Sequence, residues 1–288
     1  MAFNLQIFKT RTLTAIVFVI LMLCGLLISH WTFFLLFTII HFGCWVEFKN
    51  IAGKIEPAYK NISPLHIYSI MLAGWGFMLW MTNNAYSIGE IKLKAIGWYL
   101  MLIALIISII IEAARRNFKA ILISICGLLY ISFSCGCMID LRSEGMVFKG
   151  SILFLDFGLV LPICLIAAMW INDTMAYIVG SLIGKTPLSS ISPNKTWEGT
   201  IGGFLLAVAT ITVCGYFLLN ADVMQLIIIA AIACVAGIFG DLLESKLKRM
   251  ANIKDSGSIM PGHGGFLDRF DSLLVATIFV WLYVKLFM

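Results

Sequence analysis

Residues 222–240 read Asp-Val-Met-Gln-Leu-Ile-Ile-Ile-Ala-Ala-Ile-Ala-Cys-Val-Ala-Gly-Ile-Phe-Gly, and residue 241 is Asp. Between Asp222 and Asp241 no side chain carries a charge. As a helix rising 1.5 Å per residue, such a stretch spans about 28 Å, close to the hydrocarbon thickness of a bilayer. The chain then turns abruptly polar, with Asp241, Glu244, Ser245, Lys246, Lys248 and Arg249 in quick succession. A membrane-crossing helix that runs directly into a charged face decides how the rest of the chain is read.

Working outward, similar apolar segments recur at roughly 13–29, 31–46, 67–82, 96–111, 120–139, 151–170, 202–220 and 272–287. With 222–240 they predict an all-α fold, a polytopic transmembrane helix bundle of about nine spans. The stretch 174–184 is apolar but short, which suggests a partial or re-entrant helix. No soluble domain fits in the remaining loops. Residues 1–288 are therefore expected to form a single integral membrane domain, with the functional motifs collected in 171–288. Lys9 and Arg11 precede the first segment as in a signal peptide, but no small-x-small cleavage site follows, so a retained helix is expected.

Composition agrees with this reading. Of 288 residues 61% are hydrophobic and only 12% are charged. Soluble domains carry about 25% charged residues, so a soluble enzyme, a disordered chain and a coiled coil are excluded. The net charge of +5 is small and scattered, and argues against a nucleic-acid partner. The eight cysteines lie inside apolar runs without CxxC or metal-ligand spacing, and read as small buried helix residues. With nine spans, alternate connections place fifteen Lys and Arg on one side and five on the other. Positive charge marks the cytoplasmic side. The N-terminus and the loops 171–201 and 241–271 are thus expected there.

Those two loops hold the chemistry. The first contains Asp173 and the run Ser192-Pro193-Asn194-Lys195-Thr196-Trp197-Glu198-Gly199. The second contains Asp241, Ser245 and Lys248 at i, i+4 and i+7, so a helix continuing past the membrane surface would place them on one face. Pro261-Gly262-His263-Gly264-Gly265 must be irregular backbone, and its glycine amides could cradle phosphate oxygens. Asp268 and Asp271 follow; Asp271 reads either as a catalytic acid or as the cap of the last helix. Carboxylates hold Mg²⁺, while Lys and Arg neutralise phosphate. Two unit charges of like sign at 4 Å repel by about 4 kcal/mol at an effective dielectric near 20. Interleaved acids and bases remove that barrier between two phosphate compounds. The residues alone thus point to membrane phosphotransfer or nucleotidyl transfer.

The segment from Ser245 to Asp271 resembles the signature of the phosphatidate cytidylyltransferases, or CDP-diacylglycerol synthases: Ser-x-x-Lys-Arg-x₄-Lys-Asp, then Pro-x-His-Gly-Gly-x-x-Asp-Arg-x-Asp. Asp173-x-x-Ala176-Tyr177 and Ser192-Pro193-x-Lys195-Thr196-x-Glu198-Gly199 are similar to the family's other shared stretch. The resemblance implies transfer of CMP from CTP to phosphatidic acid, giving CDP-diacylglycerol and pyrophosphate, with Mg²⁺ and room for a second cation. It implies Asp241 and Asp268 as metal ligands, and Asp241, Ser245, Lys248 and Asp268 as the catalytic set. Lys195, Arg249, His263, Gly264, Gly265, Arg269 and Asp173 complete the expected substrate-binding residues. It also implies a membrane enzyme, and a homodimer for at least some members. The division of Lys and Arg, with active site and N-terminus cytoplasmic, fits a bacterial inner membrane or an endoplasmic reticulum, and the compactness of the chain favours the bacterial membrane.

Other readings remain at this stage. A CTP-dependent polyprenol or dolichol-type lipid kinase would move the γ-phosphate, and a CDP-ether-lipid synthase would use a different lipid phosphate. A transporter would gather polar residues near the membrane midplane and show an inverted repeat, and neither is visible. Gly180-Ser-Leu-Ile-Gly184-Lys185-Thr186 looks like a phosphate-binding loop but is one residue short between its glycines. Asp156, inside the sixth segment, reads as part of an ion path or as a snorkelling acid.

Overall fold

A computed structural model describes residues 5–143, 157–189, 191–219, 222–259 and 264–288. Among the described residues the fold is all-α apart from one small hairpin. In chain order the elements are α1 (Leu5–Leu27), α2 (His30–Ile55), α3 (Pro57–Lys60), α4 (Pro64–Trp80), β1 (Ser87–Ile88), β2 (Ile91–Lys92) and α5 (Leu93–Ala114). Then come α6 (Phe118–Gly127), a π turn over Leu128–Ser132, α7 (Phe133–Ser143), α8 (Val160–Ile183), α9 (Trp197–Leu219), α10 (Val223–Met250) and α11 (Leu267–Phe287). Local chemistry sets several starts. Ser29 and Thr32 form a reciprocal capping box ahead of α2. Pro64 opens α4, where a missing N–H does no harm. Asp222 accepts the Gln225 amide at 3.0 Å at the start of α10.

Among the described residues, seven helices are long and apolar enough to cross a membrane, counting Phe118–Ser143 as one. The other two expected spans are helical but shorter: the apolar part of α1 covers Thr12–Leu27, and α4 has 17 residues. Two boundaries differ from expectation. The sixth span lies at Val160–Ile183, and 174–184 is its second half, not a separate re-entrant piece. Polar Asn172, Asp173 and Thr174 stay within the helix because their backbone amides remain in the ladder. The eighth helix runs ten residues beyond its apolar core to Met250. Asp156 and His263 lie outside the described residues.

The chain forms two compact units, Met1–Ile139 with Leu247–Phe270, and Asp140–Lys246 with Asp271–Met288. In the first, α2 is the buried centre, with Phe33, Cys44, Trp45 and Ile51 almost wholly covered. Two of its polar side chains meet at one hydroxyl: Trp45 Nε1 donates to Ser132 Oγ at 2.9 Å, and His41 Nε2 lies 2.9 Å from the same oxygen. Helices α4 and α5 meet where Gly76 and Gly97 let the backbones touch. In the second unit α8 and α9 pack equally closely, with Gly199 against the Ala176 carbonyl and Gly203 against that of Asn172. Near the C-terminus, Asp140 Oδ2 accepts from Trp281 Nε1 and Lys285 Nζ, each at 2.7 Å.

Candidate active site

The loop between α10 and α11 begins with a helix stop. The Ile253 amide donates to the Lys248 carbonyl at 2.9 Å, and Asn252 adopts φ 54°, the left-handed conformation that Asn tolerates. This turn leaves Lys248 in the last helical turn with its side chain largely covered. Lys248 Nζ donates to Asp268 Oδ1 at 2.6 Å, with the two side chains 14% and 9% exposed. The other Asp268 oxygen, Oδ2, accepts from the Ser256 amide at 2.9 Å, the Ser256 hydroxyl at 2.9 Å and the Gly265 amide at 2.8 Å. Asp268 therefore stands in the first turn of α11, where a carboxylate also favours the helix dipole.

A second carboxylate shares this place, one that the motifs of the C-terminal half did not include. Glu47, on α2, is 3% exposed. Its Oε1 accepts the Phe266 amide at 2.8 Å, and its Oε2 accepts the Leu267 amide at 2.9 Å and the Ser256 hydroxyl at 2.6 Å. A Cβ on Gly257 or Gly265 would overlap the Glu47 carboxylate. The Gly265 amide donates to Asp268, and its bare Cα makes room for Glu47. Gly264 adopts φ 83°, which only glycine enters readily. Arg249 is exposed and donates to the Ile253 carbonyl at 3.3 Å, while Arg269 is exposed in the first turn of α11.

The second unit carries a cluster of its own. Lys195 is delivered by a short loop after α8, closed by Leu188 N–H to the Lys195 carbonyl at 2.7 Å and Lys195 N–H to the Ser192 carbonyl at 3.1 Å. Lys195 Nζ then donates to Asp241 Oδ2 at 2.5 Å. Asp271 is not a helix cap: it lies one turn inside α11, buried, in the field of Glu244, Asp241 and Asp173. Glu244 is buried too, and Asn172 donates to Asp173 Oδ1 at 3.4 Å. The Gly180–Thr186 look-alike is not a phosphate loop. Glu198 Oε2 already accepts the amides of Lys185 and Thr186 at 3.1 and 3.2 Å, and Gly180 sits inside α8.

Helix α10 is unbroken through Asp241, Ser245 and Lys248, so their spacing places them along one face, as expected. Ser245 is half-buried. Among the described residues no three His, Cys, Asp or Glu side chains are close enough to form a ready metal cage. The donor chemistry nevertheless fits a hard cation. Hard divalent ions take carboxylate oxygens, and the second unit crowds several carboxylates around buried Asp271. Asp241 and Asp268 each hold a lysine ammonium where a cation would otherwise sit.

Comparison with known proteins adds an independent finding. Residues 9–287 match the cytidylyltransferase family. A Bacillus subtilis protein named phosphatidate cytidylyltransferase is 32% identical over 285 residues, 96% of this chain and 96% of its own length. A Staphylococcus saprophyticus protein of the same name is 33% identical over 269 residues, 92% and 95% of the two chains. A third, from Helicobacter pylori J99, is 42% identical over 123 residues, 43% of this chain and 46% of that protein. The chain therefore spans less than half of the last relative in alignment and nearly all of the first two.

Proposed function

The chain belongs to the cytidylyltransferase family, and from that membership we propose that it transfers CMP from CTP to phosphatidic acid, releasing pyrophosphate and forming CDP-diacylglycerol. The observation that carries the reading at the level of side chains is the pairing of each key carboxylate with an ammonium: Lys195 with Asp241, and Lys248 with Asp268. Each carboxylate and each ammonium has its counter-charge in place until substrate arrives.

In this proposal the lysines turn from carboxylate to phosphate when the nucleotide binds. Lys195, Lys248 and Arg249 neutralise the triphosphate and the lipid phosphate, whose mutual repulsion otherwise opposes the reaction. Arg269, Asp173 and the Gly264–Gly265 turn complete the substrate contacts, with Ser245 half-buried on α10 between Asp241 and Lys248. The lipid phosphate attacks through one of its own oxygens; phosphate monoesters are largely dianionic at neutral pH, with a second pKa near 6, so no general base is required. A bond forms between that oxygen and the α-phosphorus, and the bond from the α-phosphorus to the bridging oxygen breaks. Its electron pair leaves with pyrophosphate. Asp241 and Asp268 would hold Mg²⁺, which when bound supplies charge neutralisation at the phosphates. We also infer that the N-terminus and these residues face the cytoplasm of a bacterial inner membrane, from the fifteen-to-five division of Lys and Arg, and that a homodimer is the assembly to test first.

The test uses purified protein in detergent with phosphatidic acid, Mg²⁺ and CTP labelled at the α- or the γ-phosphorus. Lipid-extractable label from α-labelled CTP, absent in Asp241→Ala and Asp268→Ala, is the expected result. Label arriving only from the γ-position, on a lipid alcohol, would establish a kinase and overturn the proposal.

A further inference from the structure

We propose that Glu47 is a positioning residue for the reaction, holding Ser256 and residues 264–268 in their working arrangement from the N-terminal half of the chain. The inference rests on the reading that Asp268 takes part in nucleotidyl transfer. Three observations within the first unit converge on it. Glu47 is a buried carboxylate whose two oxygens receive three donors, all from the segment 256–267. Gly257 and Gly265 both lack a side chain where the carboxylate passes, so both positions make room for this one group. Gly43, one turn earlier on α2, leaves space that the Phe266 ring fills, so positions i and i+4 of α2 grip the same residue by ring and by amide.

Glu47 and Asp268 divide the donors at the start of α11 between them. Glu47 takes the amides of Phe266 and Leu267, and Asp268 takes that of Gly265. Ser256 joins the two, its hydroxyl lying 2.6 Å from Glu47 Oε2 and 2.9 Å from Asp268 Oδ2. That hydroxyl has one proton and serves one carboxylate at a time. Glu47 thus fixes where Ser256 stands, and Ser256 with Gly265 fixes which Asp268 oxygen is engaged within the protein. The outcome is that Asp268 presents Oδ1, the oxygen now on Lys248, to whatever binds there.

Glu47→Gln tests this with little change of shape. The amide NH₂ cannot accept, so either the Phe266 or the Leu267 N–H loses its acceptor whichever way the side chain turns. The expected result is a fall in kcat on the order of 10²-fold, the size of effect that a small misplacement near the reacting groups produces, with KM for CTP and for phosphatidic acid little changed. Amide hydrogen exchange should quicken at residues 264–268 while the rest of the first unit keeps its protection. Ser256→Ala should act in the same direction more weakly, and adding it to Glu47→Gln should do less than it does alone. An unchanged kcat in Glu47→Gln, or faster exchange spread through the whole unit with kcat falling only as folded protein is lost, would overturn the inference. If the unaltered protein transfers no label from CTP, the functional reading fails instead; the exchange at 264–268 still reports whether Glu47 holds the loop.

Discussion

Lys248 and Asp268 give the sharpest test of the site's architecture, because their side chains are largely covered and both Asp268 oxygens have identified donors. Removing one member of a buried ion pair costs about 3–5 kcal/mol, mostly from the charge left behind. In Lys248→Met the stem is kept, and Asp268 loses its contact at Oδ1 but retains three donors at Oδ2. The lower end, about 3 kcal/mol, is therefore expected, or a melting shift on the order of 6–12 °C. Asp268→Asn is not a harmless replacement. With its oxygen toward Ser256 and Gly265, its NH₂ faces the Lys248 ammonium; turned round, its NH₂ faces three donors. The double variant escapes this conflict, since the oxygen can face Ser256 and Gly265 with no cation opposite the NH₂. The two single losses should thus exceed the double by roughly 1–3 kcal/mol. Thermal or denaturant unfolding in one detergent, run on all four proteins, measures this. Additivity within about 0.5 kcal/mol would refute the pairing, and with it the idea that Lys248 holds the place of a phosphate-bound cation.

Other perturbations separate folding from function. Gly265→Ala places a methyl group on the Glu47 carboxylate and should abolish turnover of α-labelled CTP, whereas Ala at exposed Ser258 should not. Lys195→Met breaks a pair that is 36% and 23% exposed, so unfolding should change by less than about 1 kcal/mol. The kcat/KM for CTP should nevertheless fall about 10- to 100-fold, the worth of one charge-assisted hydrogen bond; a fall in step with stability would make Lys195 only a counter-ion. Glu198→Ala releases the amides of Lys185 and Thr186, and limited proteolysis should then cut within 184–196 at sites silent in the unaltered protein.

What the sequence made legible follows from which interactions are local. Apolar length identified the helices, and the i, i+4, i+7 spacing of Asp241, Ser245 and Lys248 survived because α10 continues past its apolar core. Where the reading erred, hydropathy and backbone geometry had parted. The break expected after Trp170 rested on polar side chains, yet a polar side chain does not end a helix whose amides stay paired, and α8 runs on to Ile183. Local pattern also reaches the amides of Gly264 and Gly265, which read as phosphate donors because glycine chemistry permits it. That Gly257 and Gly265 also accommodate a carboxylate depends on a contact with a residue about 210 positions away, which no local pattern encodes.

Glu47 shows the same limit most plainly. It follows the apolar segment 31–46 and is soon followed by Lys49 and Lys54, so it reads as an acid at a solvated boundary. Burying an unpaired carboxylate is costly enough that such a position is avoided unless donors are waiting. The donors here are the unsatisfied amides of a helix start, which exist wherever a loop enters a helix. The one sequence-level hint is that Gly43 precedes Glu47 by one turn, leaving a bare patch beside an acid on the same face of α2. If the inference about Glu47 holds, the N-terminal helices do more than fill the membrane: they set the geometry of a motif that the C-terminal half alone supplies. Separately expressed halves of the chain would then differ in kind, with the motif-bearing half keeping its reactive side chains but lacking the carboxylate that orders them.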